Sequence, residues 1–128
     1  EDIVKLKDLG VKFIVSPNTN PEIITESLNN QIIPIPGFYT ATEGFNALKY
    51  GATILKLFPA DLNLLNNYLS VFPESIKFIP TGGINILNIK EFLVNSPAVG
   101  IGSALFSNKI FLSEFSKRIK KFREIIIL

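Results

Sequence analysis

The residues of this chain that could do chemistry are one lysine and two glycine loops. Lys56 lies in the middle of Ala52-Thr-Ile-Leu-Lys-Leu-Phe-Pro-Ala60, a mainly apolar run that ends at Phe58-Pro59. A run of that kind reads as a buried strand. Burial disfavours the ammonium form of a lysine and leaves amine free to attack a carbonyl, which opens Schiff-base chemistry. The plainer alternative is a strand lysine with a packed stem and its head in water. Alternation puts Ile54, Lys56 and Phe58 on one face and Leu55 and Leu57 on the other. Both faces are then mainly apolar, and the expected setting is a central parallel strand covered on both sides.

The glycine loops are Thr81-Gly82-Gly83 and Gly100-Ile-Gly102-Ser103. Each is expected to lie between a strand and a helix, where backbone N–H groups unscreened by side chains can approach an anion. A single such pair says little, because glycine is a common turn residue. Two in consecutive units, downstream of a strand lysine, point to a phosphate.

The composition removes most rival chemistries. The 128 residues contain no Cys and no His, so thiol catalysis, disulfides and histidine-based acid–base or metal chemistry are excluded within this chain. Thirteen basic and 11 acidic residues nearly balance, which gives no electrostatic case for nucleic acid or an anionic membrane. No apolar run is long enough to span a bilayer. The expectation is a soluble, cytoplasmic protein.

The elements that must position these residues follow from helix stops and apolar runs. Helices are expected over residues 2–9, 21–29, 40–50 and 62–71, within 84–94, from about Ala104, and over about 112–127. Strands are expected at 11–15, 31–35, around Lys56, at 75–79 and at 98–101. On the last helix Lys117, Arg118, Lys120 and Lys121 read as a solvated face. Thr40 and Glu43 have capping-box spacing, and Asp61 suits either a helix start or a role beside Lys56. Tyr39 is expected to pack beside Phe38.

Strand centres recur roughly every twenty residues with a helix between each pair, the pattern of consecutive βα units in one parallel domain. With no Gly-x-Gly-x-x-Gly turn after the first strand, five units in a row favour an α/β fold of the (β/α)8 TIM-barrel type over a doubly wound sheet. In either fold the chemistry collects at the carboxyl ends of the strands.

Ser16-Pro-Asn18, Pro36-Gly37, Thr40-Ala-Thr-Glu43, Leu55-Lys-Leu-Phe-Pro-Ala60, Pro80-Thr-Gly-Gly-Ile84 and Gly100-Ile-Gly-Ser103 resemble, in order and spacing, the 2-keto-3-deoxy-6-phosphogluconate and 6-phosphogalactonate aldolases. The resemblance implies a class I aldolase, a homotrimer in most members, that cleaves the sugar-acid phosphate to pyruvate and glyceraldehyde 3-phosphate with neither metal nor organic cofactor. It makes Lys56 the Schiff-base lysine and puts Thr81 near the pyruvyl part. Gly82, Gly83, Gly102 and Ser103 would hold the phosphate, and Phe58 and Pro36 would line the pocket. The family has three further βα units before this point, with its general acid/base glutamate and its carboxylate-binding arginine upstream. The chain opening at Glu1 is therefore expected to be a partial barrel and a piece of something longer. After Ala60 the family continues through a glycine-containing loop, where this chain has Asp61-Leu-Asn-Leu-Leu-Asn66. Two rivals remain at this point: another phosphate-binding barrel enzyme, such as an epimerase or a thiamine phosphate synthase, and a non-catalytic barrel piece.

Overall fold

The computed structural model describes residues 2–106 and 111–126. Helix α1 (Asp2–Asp8) leads to strand β1 (Phe13–Val15), and α2 (Pro21–Asn29) to β2 (Ile33–Ile35). Then come β3 (Gly37–Phe38), α3 (Ala41–Lys49), β4 (Ile54–Leu57), α4 (Leu62–Val71), β5 (Lys77–Pro80), α5 (Ile89–Leu93) and α6 (Leu112–Ile126). All strand pairs are parallel, β1 with β2, β3 with β4 and β4 with β5. The expected strand at 31–35 becomes two, because Pro34 and Pro36 cannot donate to a ladder. Its first part pairs back to β1. Beyond it the carbonyl of Pro36 accepts the Lys56 N–H at 2.9 Å, which carries the sheet on to β4.

Two expected elements come out shorter. The strand at 98–101 is reduced to one bridge between Thr81 and Gly100, with the Gly100 N–H on the Pro80 carbonyl at 2.8 Å. Pro97 and two glycines leave few side chains there to stabilise a strand. The helix within 84–94 starts only at Ile89. Asn85 and Asn88 spend their side chains on nearby backbone instead, which competes with helical bonds. The helix expected from Ala104 appears as a turn at residues 103–105, and the rest of that expectation falls on 107–110, outside the described residues. The last helix runs to Ile126, and residue 127 lies outside the described range.

The core lies on one face of the sheet. Leu55 and Leu57 of β4 are fully buried, with Phe78 of β5 and Phe38 of β3 beside them. Ile24 of α2, Ala47 of α3, Leu65 and Tyr68 of α4, Ile89 and Phe92 of α5 and Phe122 of α6 close over them. Five helices thus share one apolar cluster, each contributing side chains worth roughly 1.5–3 kcal/mol when fully buried. Ile54, Lys56 and Ile79 point the other way and stand outside that cluster. They are only partly buried, which corrects the expectation that the Lys56 strand is covered on both sides. No helix among the described residues is long and apolar enough to cross a membrane.

Candidate active site

Lys56 is fixed by the ladder on both sides, in register with Gly37 of β3 and Ile79 of β5. Gly37 has to be glycine, since a Cβ there would run into the Pro17 carbonyl. That absence lets the Ser16-Pro17 loop settle beside the neighbour of Lys56. The loop is held by Ser16 Oγ donating to the Asn18 carbonyl at 2.9 Å and Thr19 Oγ1 donating to the Gly37 carbonyl at 3.0 Å.

The Lys56 head lies 4.8 Å from the centre of the Phe58 ring, where a cation is attracted to the ring face. The same ring meets Gly82, where a Cβ would come within 2.7 Å of Phe58 Cε2. Gly82 and Gly83 both have positive φ, +90° and +77°, which non-glycine residues adopt only with strain. The Thr81-Gly82-Gly83 turn is tied to β4 by Thr81 N–H on the Leu57 carbonyl at 2.9 Å and Ala60 N–H on the Gly82 carbonyl at 3.3 Å. Thr81 in turn fills the place a side chain at Gly100 would need, which is how the second glycine loop comes alongside the first. The second loop closes as a turn, with the N–H groups of Leu105 and Phe106 both on the Gly102 carbonyl at 2.9 and 3.0 Å.

Lys56, Phe58, Thr81 and Gly82 are thus in one connected group, with Gly102 and Ser103 joined to it through the Thr81–Gly100 bridge. Gly83, Gly102 and Ser103 are exposed, whereas the Pro36 side chain is fully buried and supports Lys56 through its carbonyl.

The nearby acids are committed elsewhere. Glu43 Oε2 accepts the N–H groups of Tyr39 and Thr40 at 3.0 and 2.8 Å and the Thr40 hydroxyl at 2.8 Å. The Thr40 backbone bond, then that of Tyr39, holds its carboxyl below the usual range, the wrong direction for a proton acceptor. Asp61 Oδ1 accepts the Leu64 N–H at 2.8 Å and caps α4. Tyr39 does not pack as expected: its side chain is exposed, and its carbonyl takes the Tyr68 hydroxyl at 2.6 Å. Burial pushes the Tyr68 pKa up, so that hydroxyl stays a donor.

Three residues near the site escaped the sequence analysis. Asn85 and Asn88 both donate to the Gly83 carbonyl, at 3.3 and 3.0 Å, and stitch the glycine turn from below. Their signal was present as Asn-x-x-Asn directly after Gly-Gly, a pattern that serves local backbone bonds. Arg118, expected in the solvated face of the last helix, instead donates Nη1 to the Ala104 carbonyl at 3.2 Å.

Parallel βα units with a lysine on the open face of the sheet and glycine loops at the strand ends are the arrangement of an α/β protein of the TIM-barrel type. Residues 1–122 match the aldolase family model described as KDPG and KHG aldolase, and the chain belongs to that family. Its members are aldolases, carbon–carbon lyases. A 2-dehydro-3-deoxy-phosphogluconate aldolase of Treponema pallidum is 33% identical over 98 residues, 74% of this chain and 47% of the relative. A structure described as native KDPGal is 27% identical with a TM-score of 0.87, covering 99% of this chain and 66% of that one. A KDPG aldolase from Legionella pneumophila, solved with pyruvate captured at low pH as a covalent carbinolamine intermediate, is 29% identical with a TM-score of 0.73, covering 92% of this chain and 58% of that one. The chain spans about half the length of the curated relatives it matches.

Proposed function

We propose that this chain carries the Schiff-base lysine and the phosphate loops of a class I aldolase acting on 2-keto-3-deoxy-6-phospho sugar acids, of the gluconate or galactonate type. The observation that carries the proposal is the position of Lys56: partly buried on the open face of a parallel sheet, with Phe58 over its head and Thr81-Gly82-Gly83 at the strand end beside it. The Lys56 amine adds to the C2 ketone to give a carbinolamine, and loss of water gives an iminium that serves as electron sink. A base takes the C4 hydroxyl proton, the C3–C4 bond breaks towards the iminium, and glyceraldehyde 3-phosphate leaves. The remaining enamine is protonated at C3 and hydrolysed, which releases pyruvate and restores the amine.

Thr81 is assigned to the pyruvyl end and Phe58 and Pro36 to the wall beside it. Gly82, Gly83, Gly102 and Ser103 are assigned to the phosphate, whose remote binding energy positions the reacting carbons against Lys56. The base is a carboxylate other than Glu43 and Asp61, because both of these serve as helix caps. In the complete protein the sheet is part of a closed barrel, and the assembly is a homo-oligomer, a trimer by resemblance.

The test is pyruvate release from each of the two sugar-acid phosphates, with parent and Lys56→Met in the complete protein. Release by the parent from one or both, abolished by the substitution, is the expected result; release that survives the substitution contradicts the assignment. Residues 1–128 alone should turn over poorly, because general acid–base help is worth roughly a hundred- to ten-thousandfold.

A further inference from the structure

Arg118 has surroundings unlike those of the lysines around it on α6. One face of that helix carries Phe115, Arg118 and Phe122, spaced to stack along a single stripe. Phe115 meets the Phe106 ring edge-on, with centres 5.9 Å apart, and Phe122 is buried in the core. Between these two anchors Arg118 donates Nη1 to the Ala104 carbonyl and Nε to Glu114 Oε1, each at 3.2 Å. Lys117, Lys120 and Lys121 are exposed.

A cavity of about 270 Å³ is lined by Asn85, Ile86 and Ala104 and by Glu114, Arg118, Lys121 and Phe122 of α6. It adjoins both glycine loops, the first through Asn85, which holds the Gly83 carbonyl, and the second through Ala104. The second loop also rests on the core through Ile101, Ala104 and Leu105. Its two closing bonds both end on the Gly102 carbonyl. The peptide unit linking Ala104 to Leu105 is planar, so holding its carbonyl at Arg118 and its N–H at Gly102 sets its orientation at both ends. That orientation constrains the residue before it, and with it the N–H groups of Ser103 and Ala104.

The geometry points to Arg118 as a positioning residue that holds the Gly102–Phe106 turn in the shape that receives a phosphate, without touching the phosphate itself. This rests on the assignment of the glycine loops to phosphate made above. Arginine suits the task because its fork reaches Glu114 and Ala104 at once, whereas a lysine presents a single nitrogen. α6 then supports the site through Arg118.

The test uses the full chain as parent, R118A and R118K, with two readouts: the Kd for inorganic phosphate by calorimetry and the rate of pyruvate capture by borohydride at Lys56. R118A should raise the phosphate Kd about tenfold, the scale of a lost charge-assisted hydrogen bond, with pyruvate capture unchanged. R118K should recover part of the loss. Phosphate binding unchanged in R118A overturns the positioning role, and so does an equal fall in both readouts, which would make Arg118 a support of the fold at large. A parent that captures pyruvate yet binds no phosphate overturns the loop assignment, and the positioning role falls with it.

Discussion

Strands β1 and β4 look alike in sequence and have opposite fates. Both are short apolar runs, Phe13-Ile-Val15 and Ile54-Leu-Lys-Leu57, each followed by a turn that contains proline. In β4 the two leucines are fully buried, because β3 and β5 flank the strand and α3, α4 and α5 cover one face. In β1 Phe13 is 57% exposed and Val15 50%, because among the described residues the strand has a single neighbour, β2. Ile33, the partner of Phe13 in register, is exposed as well. Apolar content therefore specifies a strand, while burial depends on how many elements reach it. The same contrast holds within β4, where the helix-facing leucines build the core and the opposite face, left partly open, presents Lys56.

The contrast would break most visibly at Leu55. Leu55→Ala should cost about 2–5 kcal/mol in a denaturant titration, the usual range for a buried leucine, whereas Val15→Ala should stay within about 0.5 kcal/mol. Equal costs at the two positions would show that β1 is buried in solution. Next in size is the loop beside β4: Gly83→Val should weaken inorganic phosphate binding at least about tenfold, since a β-branched residue is strained at positive φ. Unchanged affinity would place the anion elsewhere.

A smaller effect sits at the cap of α3. Thr40→Ala should cost about 1 kcal/mol of stability. Glu43 adds a pH dependence. Its folded pKa is depressed by the Thr40 and Tyr39 bonds, so its contribution is fully present above the ordinary carboxylate value and is lost as pH falls through the lower folded value. Glu43→Gln should flatten that acid limb, and an unaltered limb would mean that the cap is not formed in solution. Smallest of all is the edge: Phe13→Lys should reduce concentration-dependent association of this chain in sedimentation, because a charge blunts an exposed strand edge. Undiminished association would show that the β1 edge is not the contact.

The parallel βα order was legible because glycine and proline punctuate the apolar runs: Gly10 and Gly51 end helices, and Pro21 opens one. The lysine and both glycine loops were legible as residue types at strand ends. What did not show was anything settled by side chains serving backbone at a distance. Asn85 and Asn88 shorten α5 by holding Gly83, and Thr81 fills the space beside Gly100, its bridge partner. Arg118 read as one charge among four, and only the seating of Phe115 and Phe122 turns it inward. The one-sided cover of β4 was also hidden, since alternation shows which residues share a face but not what lies over it.

The central claim is that Lys56 is the carbonyl-capturing amine, and peptide mapping after incubation with pyruvate and borohydride tests it most directly. The account predicts a single reduced pyruvyl adduct on Lys56, absent in Lys56→Met. An adduct on another lysine, or an equal spread over the exposed ones such as Lys117 and Lys120, would contradict it.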